Sequence, residues 1–468
     1  GSPKALVILV EFQDVKFKTS DPVATFTHYL KGADGEAAPE ANNAYVTKGM
    51  VNYGSVSQYF KDMSQGQFKP QFDIVGPVTV SKNSAYYGGN TGRTDANFAK
   101  MIAEACKGVS DKVNFADYDL NNDGYVDLVY VIYAGYSESI NGNSSDCLWP
   151  KSGTNAFYEP GTNNLLKLNG KRICRYGINN ELNGTPKNWI EGKPLLNGIG
   201  LFCHEFSHTM GLPDLYPTVE TSRVDNQNPE YWDLMDGGEY TYSGYFPTPY
   251  SPWEMEVMGW TTPVELGDEA KQVNLNSYAS DRTTYKINGK NDEYLLIQNI
   301  QTDGWWRGIT KAYNTGMLVW RIDYPYTTVS LDNRLNNEIG KPNVMIVPAD
   351  GYVISAYNVT DDDESKAKYK ASLKADPFPG ANNVPELLSV KLNKSTLKKP
   401  FYNIKETNGV ITFDYLKDYA TGIDQTLADK DTEKNQSIFS LDGRYLGNDA
   451  SKLTKGIYII GKKKVVIK

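Results

Sequence analysis

Histidine is nearly absent from this chain of 468 residues, which holds three. No apolar run approaches the roughly 18 residues of a spanning helix, so no helix here is expected to cross a membrane. A basic excess is also lacking: Lys and Arg number 48 against 56 Asp and Glu, a net charge of −8. That balance excludes nucleic acid as a main partner. Cysteine is sparse, and the four present (Cys106, Cys147, Cys174, Cys203) allow three pairings. Cys147 and Cys174 bracket a loop-like stretch, and either a disulfide between them or four free thiols fits the pattern. No fixed-period repeat and no signal-type leader is present. The chain opens GSPKALVILVEF, where Gly1-Ser2 reads as a tag remnant, and a signal and an N-terminal propeptide are expected upstream.

Other residue types are plentiful. The chain has 33 tyrosines and 41 glycines with many asparagines, a mix that suits a loop-rich and strand-rich extracellular protein. Leu, Ile and Val are well supplied, which argues against disorder, and the length calls for two or three domains. ALVILVEFQDV reads as a buried strand, NYGSVSQYFKDM as a short helix, QFDIVGPVTV as a strand, TDANFAKMIAEACKGV as an amphipathic helix and DLVYVIYAGYSE as another buried strand. This alternation predicts an α/β or α+β domain over residues 1–265. Strand-like segments then dominate: TYKING, EYLLIQNIQ, TGMLVWRID, VMIVPAD and GVITFDY. They predict a β-sandwich-like domain over 266–417. A polar linker over 418–436 leads to a small β segment over 437–468, with turns at Asp442-Gly443 and Lys455-Gly456.

Two of the three histidines stand together in CHEFSHTMGLPDLY. His204 and His208 are four apart, so on a helix both imidazoles project from one side and can reach one Zn²⁺ at roughly 2.0–2.1 Å. Glu205 is turned away from that pair by about 100°, placed to act on a water as general base. Gly211 can take positive φ, end the helix and turn the chain back. Asp214 then falls where the HExxHxxGxxH pattern of metzincins has its third ligand. Competing carboxylates on later segments are Glu220, Glu230, Glu239, Glu254 and Glu256, and the remaining histidine, His28, lies far off in sequence. In YWDLMDGGEY, Met235 reads as a methionine turn beneath the metal, and Tyr240 and Tyr242 are candidates to donate to the oxyanion. Three ligands would leave a position for water, and Glu205 would take its proton and pass it to the leaving amine.

A second candidate site is DYDLNNDGYVD. Asp119, Asn121, Asp123, the Tyr125 carbonyl and Asp127, with Gly124 at the sixth place, match the start of a calcium loop. Tyr130 stands where an EF-hand has its glutamate, so the alternative is a turn closed on its own backbone amides.

On LVILVEFQDV, SVSQYF, DLNNDGYVDLVYVIYAGYSE, HEFSHTMGLPDLY, WDLMDGG, SPWEMEVMGW, EYLLIQN, GMLVWRID and ITFDY, the chain resembles the immune inhibitor A family of secreted zinc metallopeptidases over about residues 1–415. The resemblance implies an α+β, metzincin-like catalytic domain followed by a β-rich domain. It also implies zinc on His204, His208 and Asp214, and Glu205 as catalytic base. Arg321 departs from the histidine expected there, which puts nearby substrate contacts in doubt. The ending GIYIIGKKKVVIK resembles Por (type IX) sorting tails and implies Gram-negative export to the cell surface or medium. The expected activity is a monomeric endopeptidase acting on proteins or peptides. Two alternatives are a calcium-dependent adhesion protein on an inactive scaffold, which the intact Glu205 disfavours, and a zinc hydrolase of non-protein amides.

Overall fold

The computed structural model describes all residues except 33–51, 93, 141–142, 189–193, 325–332, 420–436, 442–443, 448–451, 461–462 and 468. Most of the expected linker and the Asp442-Gly443 turn therefore lie outside the described residues.

The first sheet grows from the opening apolar run. Lys4–Glu11 is a strand whose residues 5–10 are all buried, as expected of a parallel strand covered on both faces. Alternate side chains serve two cores. Ala5, Val7 and Leu9 join one, and Leu6, Ile8 and Val10 the other, following the two-residue period of a strand. The sheet order is Gln71–Thr79, Lys4–Glu11, Val129–Tyr133, Arg175–Asn180, Lys151–Thr154. The first four strands are parallel, and Lys151–Thr154 runs antiparallel along the edge.

Helices cover both faces. Phe98–Gly108 buries Met101, Ile102, Ala105 and Cys106 in the core that holds Leu6, Ile8 and Val10. Val56–Met63 is capped by the Ser55 side chain and buries Val56, Tyr59, Phe60 and Met63 on the opposite face. The histidine-bearing helix Ile199–Thr209 lies on that opposite face too. There Phe202 and Phe206 pack edge-on to Phe72, and Phe202 packs against Tyr130.

Beyond residue 264 a five-stranded sheet has the order Val344–Ile346, Gly316–Ile322, Tyr294–Ile300, Tyr285–Asn288, Val264–Glu265, and a three-stranded one Lys271–Leu275, Val410–Tyr415, Phe401–Thr407. Leu295 and Ile297 meet Val273, Leu275 and Phe413 between these sheets. The other face of the same strand, with Tyr294, Leu296 and Ile300, joins the core that contains Trp232, Met235 and Phe202. Residues on both sides of 265 thus share one core, and residues 1–418 form one compact unit. Residues 419–468 form a second unit, a four-stranded sheet that includes Gly456–Ile460 and Lys463–Ile467. Several elements escaped the sequence patterns, among them the strands Lys151–Thr154 and Arg175–Asn180 and the helices Pro22–Lys31 and Trp306–Ala312. Helix Asp363–Ala375 also did, and it buries only Ser372, Leu373 and Ala375, too narrow a stripe for a periodic signal. The four cysteines are free thiols, Cys106 and Cys203 buried in the cores. The Cys147–Cys174 bridge is therefore not formed.

Candidate metal centre

The helix carrying the histidines starts at a bare Gly198 cap with no side-chain hydrogen bond. Its glycines are needed for closeness: a Cβ on Gly200 would sit 2.1 Å from the Glu239 carbonyl oxygen. Only glycine admits the segment that follows Met235 so near the helix. The helix ends at Thr209, and Gly211 takes φ +103°, the positive value its place after the motif predicts.

The reversed chain brings Asp214 back over the histidines. Asp214 Oδ1 lies 3.1 Å from His204 Nε2 and 3.1 Å from His208 Nε2. The two Nε2 atoms are also 3.1 Å apart. Donors at about 2.0–2.1 Å around one tetrahedral zinc stand roughly 3.3–3.4 Å from each other, so a small outward relaxation of this triangle accommodates the ion. Both Nδ1 atoms face carbonyls, Leu234 O at 3.1 Å and Leu212 O at 2.7 Å. A carbonyl only accepts, so each Nδ1 carries the proton and each Nε2 offers its lone pair inward. Asp214 Oδ1 is buried with no hydrogen-bond donor. A buried carboxylate oxygen left so exposed to its neighbours' field asks for a cation. Among the described residues, this is the one group of three or more His, Cys, Asp or Glu whose donor atoms converge.

The carboxylates around the histidines set up a field that favours positive charge at this point. Burial works against charge on His204, yet Glu239 and Asp214 outweigh it and hold the imidazole well above its ordinary value. Burial pushes the Asp214 carboxyl up, but His208 and His204 prevail and hold it well below the usual range. Glu205, buried beside them, is raised by that burial, and its Oε2 accepts from the Ser152 hydroxyl at 3.0 Å. Ser152 belongs to the antiparallel edge strand, which lines the same cavity of about 310 Å³ as His204, Glu205, His208 and Asp214.

Met235 is fully buried, in a turn held by Asp233, which accepts from the Met235 amide at 2.6 Å. The Met235 carbonyl accepts from Leu215 N–H at 2.8 Å, linking the turn to the Asp214 segment. The competing carboxylates go elsewhere. Glu230 accepts from Tyr369, Glu254 from Ser251 and Glu256 from Lys286, while Glu220 is exposed. Glu239 Oε2 stands behind His204, 3.9 Å from Nδ1. His28 belongs to the helix Pro22–Lys31.

Tyr240 and Tyr242 do not line the cavity that holds the triad; Tyr216 does. Tyr240 bounds a neighbouring cavity, and Tyr242 is exposed. Sequence reading also passed over Asn333. Its Oδ1 accepts from the Asp214 amide at 2.6 Å, and its Nδ2 donates to Asp214 Oδ2 at 2.5 Å. Arg321 donates to Asn393 and lies outside the cavity lining.

The expected calcium loop is differently built. Asp119 accepts from the amides of Asp123 and Gly124 and pairs with Lys171 at 2.6 Å. Asn121 accepts from Asp123 N–H, Asp123 from Tyr125 N–H, and Asp127 from Leu120 N–H. Tyr125 sits in a short strand beside Arg172. The loop's acids accept from its own backbone amides and from Lys171, the pattern of a self-closed Asp/Asn turn, and this geometry lends the calcium expectation no support.

The model of the family described as "Immune inhibitor A peptidase M6, catalytic domain" matches residues 1–260. Pre-pro-metalloprotease PrtV of Vibrio cholerae serotype O1 is 24% identical over 281 residues, 54% of this chain and 29% of that protein. Immune inhibitor A of Bacillus thuringiensis subsp. alesti is 23% identical over 317 residues, 60% of this chain and 44% of that protein. The chain spans less than half the length of these curated relatives.

Proposed function

The chain belongs to the immune inhibitor A M6 peptidase family, and on that premise we propose that it is a secreted zinc-dependent endopeptidase with a metzincin-like centre. His204, His208 and Asp214 would hold the ion. One observation carries the reading: three donor atoms 3.1 Å apart, one of them the undonated Asp214 Oδ1. Bound zinc would supply a Lewis acid that polarises the scissile carbonyl and acidifies water.

The chain's own residues do the rest. Glu205 takes the proton of the attacking water and returns it to the leaving amine. Burial lifts its carboxyl, which moves a general base toward the working pH. The Ser152 hydroxyl holds Oε2 at 3.0 Å and keeps the carboxylate aimed into the cavity. The edge strand Lys151–Thr154 borders that cavity and, among the described residues, pairs on one side only, with Arg175–Asn180. Its free side can take an extended substrate backbone as an added strand. Export fits the family and the fact that, among the described residues, no helix is long and apolar enough to cross a membrane.

The test is metal analysis followed by casein cleavage. The purified protein should carry about one zinc, lose casein hydrolysis to a chelator and regain it on zinc addition. Glu205→Ala should lower kcat by about 10²-fold or more with zinc retained. Unchanged cleavage by Glu205→Ala, or a protein that takes up no zinc, defeats the proposal.

A further inference from the structure

A second cavity, about 280 Å³, adjoins the centre on the far side of His204. Leu201 comes to it from the histidine helix, and Asn180 from the end of a central strand. Glu239, Tyr240 and Ser243 come from the segment after Met235. Tyr240 and Ser243 are exposed at its rim, so the cavity opens to solvent.

Its charge is one-sided. Glu239 lines it, and none of the lining residues is Lys, Arg or His. The Glu239 side chain is only 7% exposed, and its Oε2 has no hydrogen-bond donor. The nearest cationic group, His204 Nδ1, lies 3.9 Å away and commits its proton to Leu234 O. A buried carboxylate is costly unless a cation and donors meet it; the Tyr240 side chain hydrogen-bonds the Glu239 carboxyl, and Oε2 itself has no donor. Around it are neutral polar groups: Ser137, Asn180 and Asn197, all buried. Leu201, Ile140 and Tyr231 supply apolar wall. A long side chain with an aliphatic stem and a cationic tip complements both parts.

We infer that this cavity is a specificity pocket that takes a lysine or arginine side chain of the substrate, with Glu239 as the residue that selects it. The inference rests on the peptidase reading above and names its substrate class. Because Glu239 stands 3.9 Å from Nδ1 of the proposed metal ligand His204, the recognised residue would lie close to the scissile bond. A neutral side chain would leave Glu239 Oε2 buried without a donor, which is how a polar pocket rejects the wrong substrate.

Two measurements decide it. Zinc-loaded wild type is incubated with a peptide library and the cut sites are read by mass spectrometry. Lys and Arg should dominate one position beside the cut. On two peptides differing only in Lys or norleucine there, wild type should prefer Lys by roughly 10- to 100-fold in kcat/KM, and Glu239→Gln should collapse that ratio. Independently, fluorescence anisotropy with Glu205→Ala should show tighter binding of the Lys peptide than of the norleucine peptide. Cleavage without basic preference, or equal binding of the two peptides, overturns the inference and leaves the peptidase reading standing. Failure to cut any peptide defeats the peptidase reading, and the anisotropy comparison still decides what the pocket binds. Should Glu239→Gln not fold, the wild-type cut sites and the binding pair suffice.

Discussion

Two acid-rich segments, HEFSHTMGLPD and DYDLNNDGYVD, both have the residue types of a cation site, yet they fold to opposite ends. In the first, three donor atoms point at one another and Asp214 Oδ1 has no donor. In the second, each acid accepts from nearby amides and Lys171 occupies Asp119. Counting oxygens does not separate them. What separates them is whether the backbone has already used those oxygens. A turn rich in Asp and Asn satisfies itself locally. The helix and glycine reversal here do not, because the atoms they bring together are two imidazole nitrogens and a carboxylate oxygen facing one another.

The comparison can be broken most forcefully at Asp214. Asp214→Ala should weaken zinc retention by more than the 10- to 100-fold that removal of an outer partner costs, read as the chelator concentration needed to strip the metal. Retained zinc would show that the aspartate is not the third ligand. Next comes Asn333→Ala, which leaves the triad intact but frees both sides of Asp214. A loss of about 10- to 100-fold in zinc affinity is expected, with little change in melting temperature.

Smaller effects test the loop. Asp119 is held below its ordinary value of 3.8, first by the Lys171 hydrogen bond. A depressed folded value means the contact helps at pH above 3.8 and is lost only as pH falls through that lowered value. The melting-temperature gap between wild type and Lys171→Met should therefore be small near pH 6, on the order of 1 °C, and vanish in strong acid. A gap that widens with acid would contradict the assignment. Smallest of all, calcium should move the melting temperature of the zinc-loaded protein by less than about 1 °C, whereas a ligand at 100 times its Kd adds roughly 2.7 kcal/mol. A shift of that larger size would restore calcium to the loop.

Much of this was legible in the sequence because it is local. The spacing of His204 and His208, the positive φ of Gly211 and the buried run in Lys4–Glu11 each follow from a few neighbouring residues. Met235 was legible only beside the first motif. The rest depends on distance. Asn333 lies 119 residues from Asp214, and nothing in LDNRLNNEIG marks one asparagine as the clamp. Tyrosine is so frequent that Tyr216 could not be chosen over Tyr240 and Tyr242. The boundary expected at 265 follows a real change from mixed to strand-rich sequence. It could not reveal that Tyr294, Leu296 and Ile300 bury in the same core as Trp232.

The Asn333 clamp also sets an order of events. A polypeptide delivered from its N-terminus places the histidines and the aspartate long before the amide that steadies the aspartate has emerged. Until the stretch through Asn337 docks on Thr218, Val219 and Ser222, the Asp214 carboxylate lacks the amide that orients it.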